Sequence, residues 1–177
     1  MLTIKKLTSE DSFELDKVNY LYDMAFPAFE KRSHSGRQTI LKHANFHLYY
    51  FSNNDVFVGF VGGWQFDDFF YIEHFAISSE LRGQGYGQKA LMLLCQKVTN
   101  IILEIEPVVD EITQKRLRFY SHCGFKENSF QHVHPNYHSE YQPHELEILS
   151  FPSSISEDSY QQFNDKLTKV VMHPDLL

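Results

Sequence analysis

Apolar positions along this chain recur with two periods, and each change of period marks an element. Leu2, Ile4 and Leu7 predict a strand over 2–7. Asp11 and Glu14 then have the spacing of a capping box. Behind them Leu15, Val18, Tyr22, Ala25 and Phe26 recur at helical spacing until Pro27 stops the run. Residues 28–36 read as a loop, and Ile40, Leu41 and Ala44 place a short helix at about 37–44. Three strands follow, over 46–51, 56–66 and 69–78. The short polar turns between them, 52–55 and Asp67-Asp68, make an antiparallel meander. Gly62-Gly63 inside the middle strand predicts a bulge or a close backbone contact. A helix over about 86–98 crosses to a strand over 101–106 closed by Pro107, a unit that should be parallel and right-handed. A helix over 111–122 ends at Gly124. Strands over 125–132 and 145–151 and a helix over 158–172 complete the chain. The fold class is α/β (α+β): a mixed central sheet of about seven strands with flanking helices.

Composition narrows this picture. A chain of 177 residues with 42% hydrophobic content, 16 Phe and 10 Tyr is expected to form one packed domain over 1–177. No apolar run approaches the ~20 residues of a membrane span. The N-terminus alternates like a strand and does not have the layout of a signal peptide. Two cysteines, Cys95 and Cys123, make a disulfide framework improbable and a cytoplasmic site the default expectation. A formal net charge of −7 disfavours nucleic-acid or acidic-membrane partners and is compatible with a cationic substrate.

The chemistry concentrates where the strand over 69–78 meets the next helix. Arg82-Gly83-Gln84-Gly85-Tyr86-Gly87 is a glycine-alternating turn, and the helical pattern opens at Gln88. The first N–H groups of a helix lack intrahelical partners, and the macrodipole adds partial positive charge. Glycines let the backbone approach a phosphate closely, and Arg82 adds a cation. The turn therefore reads as a pyrophosphate cradle. A Walker loop is excluded because no Gly-Lys-Ser/Thr occurs, and the dinucleotide fingerprint fails because the last glycine falls one residue early. Glu104 and Glu106 nonetheless lie near where a ribose-binding acid would sit.

The pattern that fits, Arg-x-x-Gly-x-Gly over 82–87, resembles the acyl-CoA pyrophosphate loop of the GNAT-type N-acetyltransferases. Phe119-Tyr-Ser-His-Cys-Gly-Phe125 resembles that family's F-Y-x-x-x-G-F segment, and Tyr71–Ile77 its cofactor-contacting fourth strand. The resemblance covers about residues 1–151, leaving the helix over 158–172 as an addition. It implies acetyl transfer from acetyl-CoA to a primary amine in a ternary complex, with no metal. The acceptor would be a small molecule or a peptide amine, and a homodimer is compatible with it. The alternative is a GNAT-like module that holds CoA without turnover.

On this resemblance Phe75, Ala76, Ile77, Arg82, Gly83, Gln84, Gly85, Tyr86, Gly87 and Gln88 would bind the cofactor, the strand backbone polarising the acetyl carbonyl. Tyr120 would be the general acid for the leaving thiolate; its helical spacing from Leu117 also suits a packed core ring. Glu73 is the candidate general base, because it interrupts an apolar strand and burial raises a carboxylate pKa. It shares strand parity with Tyr71, Phe75 and Ile77, and His74 has the opposite parity. His74, Glu106 or ordered water are the alternatives. Glu30, Arg32 and Tyr141 are candidates for the acceptor side. His132-x-His134 puts two rings on one strand face, but no third ligand stands at zinc-site spacing.

Overall fold

The computed structural model describes residues 1–173. Seven strands form one sheet in the order β1-β2-β3-β4-β5-β7-β6. They are β1 (Leu2–Leu7), β2 (Phe46–Asn53), β3 (Val56–Gln65), β4 (Phe70–Ile77), β5 (Ile101–Ile105), β6 (Lys126–His134) and β7 (His144–Phe151). β1 to β4 pair antiparallel, β4 and β5 parallel, and β7 inserts antiparallel between β5 and β6. The helices are α1 (Ser12–Ala25), α2 (His34–Leu41), α3 (Tyr86–Lys97), α4 (Glu111–His122) and α5 (Glu157–Lys166).

Alternation along the strands divides the core in two. On one face Val18, Leu21 and Tyr22 of α1, Ile40 of α2 and Tyr160 and Phe163 of α5 pack on Trp64, Tyr71 and Ile102. On the other, Ala90, Leu91 and Leu94 of α3 and Leu117 and Phe119 of α4 pack on Phe70, Ile72 and Leu103. Each helix buries one stripe, as its period requires.

Local chemistry explains where the boundaries moved. α2 starts at His34, because the Ser33 hydroxyl accepts from the Gly36 N–H at 3.0 Å. The β2–β3 turn tightens to Asn54-Asp55, both at positive φ (48° and 65°), as a primed two-residue hairpin turn requires. The Asp11–Glu14 capping box does not form. Asp11 instead accepts from the Thr8 N–H, and both carboxylates accept from the Lys5 ammonium. A capping box does form at α4, between Asp110 and Thr113. The terminal helix passes into a π turn over Leu167–Val171.

Two features of β4 create the site. First, β4 and β5 pair only at Phe70–Ile101 and Tyr71–Ile102. Beyond Tyr71 the strands diverge, so the β4 backbone has no strand partner on that side. Second, Gly62 of β3 pairs with His74, and Gly63 pairs with Ile72. Glu73 is therefore the extra residue of a β-bulge, which reverses the side-chain alternation after it. The bulge expected at Gly62-Gly63 is present, and a Cβ on Gly63 would lie 2.5 Å from the Phe70 ring and the Tyr71 carbonyl.

Candidate active site

The fork between β4 and β5 opens into a cleft of about 1000 Å³. Its walls are β4 from Tyr71 to Ile77, β5 from Leu103 to Glu106, the start of α3, Arg116, Phe119 and Tyr120 of α4, and the ends of β6 and β7. At one end stands the glycine turn. Gly83 and Gly85 have φ of +75° and +78°, and nothing lies within 4 Å of where a Cβ would project. Gly85 is the N-cap of α3 and accepts from Lys89, so the N–H groups of the first turn are unpaired within the helix. The Arg82 Nε donates to the Ile77 carbonyl at 3.2 Å, which ties the turn to the end of β4.

Gly87 is different. Its Cβ would lie 3.1 Å from the Phe119 ring, so its small size serves the contact between α3 and α4. Gln84 and Tyr86 do not line the cleft. The Gln84 side chain donates back to the Glu80 carbonyl, and the Tyr86 hydroxyl accepts from Asn53 on β2. Phe75, Ala76, Ile77, Arg82 and Gln88 do line it.

Tyr120 lines the cleft between Phe119 and Phe125, with ring centroids 5.1 and 5.6 Å away. Burial pushes its phenol up to about 12, so it remains a donor throughout the working pH range.

Glu73 is reached, but its surroundings differ from the expectation. Its side chain is fully buried. The Arg32 Nε donates to it at 2.6 Å, the Trp64 indole N–H at 2.6 Å and the Tyr137 hydroxyl at 3.0 Å. Burial alone would raise its pKa, but Arg32, His74 and these hydrogen bonds outweigh that and hold it at about 2. A carboxylate so stabilised as the anion is a poor proton acceptor at neutral pH. The parity argument fails as well. The bulge puts Glu73 and His74 on the same face, where His74 packs against Tyr22 and Phe26.

The acceptor-side candidates separate. Glu30 lines the cleft, and its carboxylate has no hydrogen-bond or ion-pair partner among the described residues. Burial first and the nearby Glu106 second push its pKa up. Arg32 is committed to Glu73 and to the Val171 carbonyl at 2.6 Å, and it lines a separate cavity of about 270 Å³ under α1 and α2. Tyr141 stands off the cleft wall, packed on Phe29 and His138.

The fork, the glycine turn at a helix start and a tyrosine at one cleft can be compared with known proteins. The family model described as "Acetyltransferase (GNAT) family" matches residues 15–125. The chain belongs to the GNAT acetyltransferase family.

A solved structure titled "Putative acetyltransferase from GNAT family" of Bacteroides thetaiotaomicron superposes with a TM-score of 0.91 at 28% identity, over 96% of this chain and 98% of that one. The Bacillus subtilis (strain 168) protein named "Putative acetyltransferase YjbC" is 44% identical over 64 residues, which is 35% of this chain and 33% of the relative. The chain thus matches about a third of that relative's length. Arabidopsis thaliana Naa50, solved with the bisubstrate analogue CoA-Ac-MVNAL, shares the fold with a TM-score of 0.59 at 18% identity, over 87% of this chain and 99% of that one.

Within this GNAT chain, sequence reasoning named Glu104 only as a possible ribose-binding acid, in a dinucleotide reading that the glycine spacing disfavours, and not as part of the acetyl-transfer site. Glu104 lies on β5 under the fork, 5% exposed, and accepts from the Tyr71 hydroxyl and from His132 Nε2. Burial would raise its pKa, but His134, His132 and Tyr71 turn the shift downward. A lone acid in the apolar run Ile101–Ile105 was the available signal. His132 and His134 do share a face, and both point at Glu104. Among the described residues no group of three His, Cys, Asp or Glu is placed to hold a metal ion, and no helix is long and apolar enough to cross a membrane.

Proposed function

We propose that the protein transfers an acetyl group from acetyl-CoA to a primary amine by direct attack in a ternary complex. The observation that carries this reading is the continuity of the cleft. One cavity joins an anion-binding helix start, a stretch of strand backbone without a partner, and a phenol donor. The open glycine turn suits a pyrophosphate, since no Cβ stands where the anion would approach. The unpaired β4 backbone beyond Tyr71 would supply N–H donors to the thioester oxygen and pair with the extended cofactor. Tyr120 would donate to the sulfur as it leaves. Glu73 is given a positional role, holding Arg32, Trp64 and Tyr137 in place.

The unpaired Glu30 carboxylate, close to Glu106, supports an acceptor that brings positive charge. Glu106 is paired with Arg116 at 3.1 Å, but Glu30 has no partner among the described residues, and an ammonium group beside it would relieve the repulsion from Glu106. A small-molecule amine or a peptide amine would satisfy this.

The direct test is thiol release from acetyl-CoA across a panel of polyamines, aromatic amines, amino acids and peptides. Acetyl-CoA at about 100 times its Kd should stabilise the fold by about 2.7 kcal/mol, a Tm rise of roughly 5–10 °C. NAD(P)H should give none. The opposite pattern would remove the assignment, and binding without turnover would leave a CoA-holding module.

The glycine turn provides a second check. A side chain at φ +78° costs about 1–2 kcal/mol, so Gly85→Val should lower Tm by only a few degrees. It should weaken acetyl-CoA binding by at least about tenfold, because the branched Cβ fills the open approach. Unchanged affinity in the folded variant would reduce the turn to a connector. Gly87→Val should act through stability, by pushing on Phe119.

A further inference from the structure

With Glu73 held as an anion by Arg32, the cleft needs another group to take the proton from an acceptor ammonium. We propose that His134 is that general base and that Glu104 is its positioning residue. This rests on reading the cleft as an acetyl-transfer site.

Hydrogen bonding decides the tautomer. His134 Nδ1 lies 2.6 Å from the Pro135 carbonyl, which can only accept. Nδ1 therefore carries the proton, and in the neutral ring Nε2 holds a lone pair. Nε2 has no hydrogen-bond partner among the described residues, and His134 lines the cleft. The Glu104 carboxylate stands 3.9 Å from Nε2, too far for a hydrogen bond, and places a negative charge beside the ring.

The other histidines are placed differently: His144, opposite His134 on β7, also lines the cleft, but its unpartnered Nε2 is buried and its ring packs on Phe29. His132 is fully buried and uses both nitrogens, Nε2 on Glu104 at 2.5 Å and Nδ1 with the Tyr160 hydroxyl at 3.0 Å. It orients Glu104 from the side away from the cleft. His74 places Nε2 on the Glu30 carbonyl at 2.8 Å and faces a Glu73 whose charge Arg32 already balances. Burial lowers its pKa, which opposes protonation. Glu104, by contrast, has no Lys or Arg partner among the described residues.

The charged and titratable groups around His134 come from every neighbouring element. Glu104 faces it from β5, Glu30 from the loop after α1, His74 from β4, Tyr137 from the strand connection after β6, and His144 from β7 directly opposite. Among the described residues none of these groups is a Lys or Arg.

The acceptor ammonium gives one proton to His134 Nε2. The freed lone pair attacks the acetyl carbon, the N–C bond forms and the C–S bond breaks. The sulfur leaves with the bonding pair and ends as a thiol with the nitrogen's second proton. His134 then releases its proton to solvent, one per turnover.

The test uses the full chain. Nitrogen NMR of ¹⁵N-histidine-labelled protein should show His134 with a protonated Nδ1 and an unprotonated Nε2 at high pH. The reverse tautomer would overturn the proposal whether or not an acceptor is known. H134N keeps an amide N–H for the Pro135 carbonyl and removes Nε2. With the best acceptor among spermidine, tyramine, lysinamide and an alanine-terminated peptide, its kcat/KM at pH 7 should fall roughly 100-fold or more. The loss should shrink as pH rises and the amine deprotonates unaided. E104Q should lower kcat/KM and change the shape of the pH profile, because the ring loses the charge beside it, whereas a merely structural role for Glu104 would leave the profile as in wild type. A wild-type rate and pH profile in folded H134N would overturn the proposal. Failure of the acetyl-transfer reading looks different: acetyl-CoA would not raise the Tm of wild type, and none of the four amines would be acetylated.

Discussion

Tyr120→Phe is expected to lower kcat by about 10- to 1000-fold while KM for acetyl-CoA stays nearly constant. The ring remains, so its packing between Phe119 and Phe125 remains. What disappears is the proton that the proposed mechanism directs at the departing sulfur, an interaction that would strengthen only as negative charge develops in the transition state. The magnitude of the pKa decides how the phenol acts. An alkyl thiol has a pKa near about 8.5, and Tyr120 stands at about 12. Complete transfer from phenol to thiolate would be uphill by roughly 3.5 units, or about 5 kcal/mol. A hydrogen bond to the departing sulfur needs no such transfer, so Tyr120 should act as a donor that keeps its proton. Tyr120 should contribute no basic limb below roughly pH 11, because burial keeps it protonated. Full kcat in Tyr120→Phe, with chemistry rate-limiting, would make Tyr120 a packing residue. A basic limb near pH 9 that vanishes in the variant would contradict the donor role and restore the general acid.

Arg32→Ala should cost about 3–5 kcal/mol of stability, a Tm loss of roughly 10 °C. Its partner Glu73 is fully buried, and Arg32 itself is 8% exposed. Removing the guanidinium leaves the Trp64 and Tyr137 donors but no compensating charge. Arg32 also closes the fold over long range, through its backbone N–H on the Tyr22 hydroxyl and its side chain on the Val171 carbonyl. Arg32→Lys should recover only part of the loss, since one ammonium cannot reach both Glu73 and Val171 in the geometry of the fork-shaped guanidinium.

The pH dependence separates the charge effect from lost packing. In the wild type Glu73 has a depressed pKa, about 2 against an ordinary value near 4.5. Its contribution is complete above pH 4.5 and is lost as pH falls through about 2. In Arg32→Ala the largest influence opposing burial is gone, with only His74 and the Trp64 and Tyr137 hydrogen bonds left, so the Glu73 pKa should rise above its ordinary value. The variant then loses stability as pH rises above 4.5, and the gap to wild type should narrow on acidification. A gap that is constant between pH 3 and pH 8 would mean that packing alone is lost. Replacing both partners, as Arg32→Met with Glu73→Leu, should recover much of the loss. Thermal unfolding across pH reads all of these.

Features that depend on neighbours along the chain were legible in the sequence. The alternation of Leu2, Ile4 and Leu7 and the helical spacing of Leu91 and Leu94 predicted β1 and α3. The turn Arg82–Gly87 announced itself because positive φ and close approach select glycine whatever the fold around it. Periodicity also carried the antiparallel meander and the parallel unit, since short turns and a crossover helix leave few topologies.

The identity of the acid–base groups was not legible, because a pKa and a tautomer are set by atoms a few ångströms away in space. Glu73 read as a base until Arg32, 41 residues before it, and Tyr137, 64 after it, were placed on its oxygens. Its parity was wrong because a bulge depends on how β3 and β4 pair, and one extra residue reverses every side chain beyond it. The insertion of β7 between β5 and β6 is likewise a tertiary event, and α5 packs on the same side. Together they bring His132 and His134, 28 and 30 residues beyond Glu104, onto one buried carboxylate. Strand periodicity alone put two rings on one face; only long-range packing put an acid between them and left one nitrogen open to the cleft.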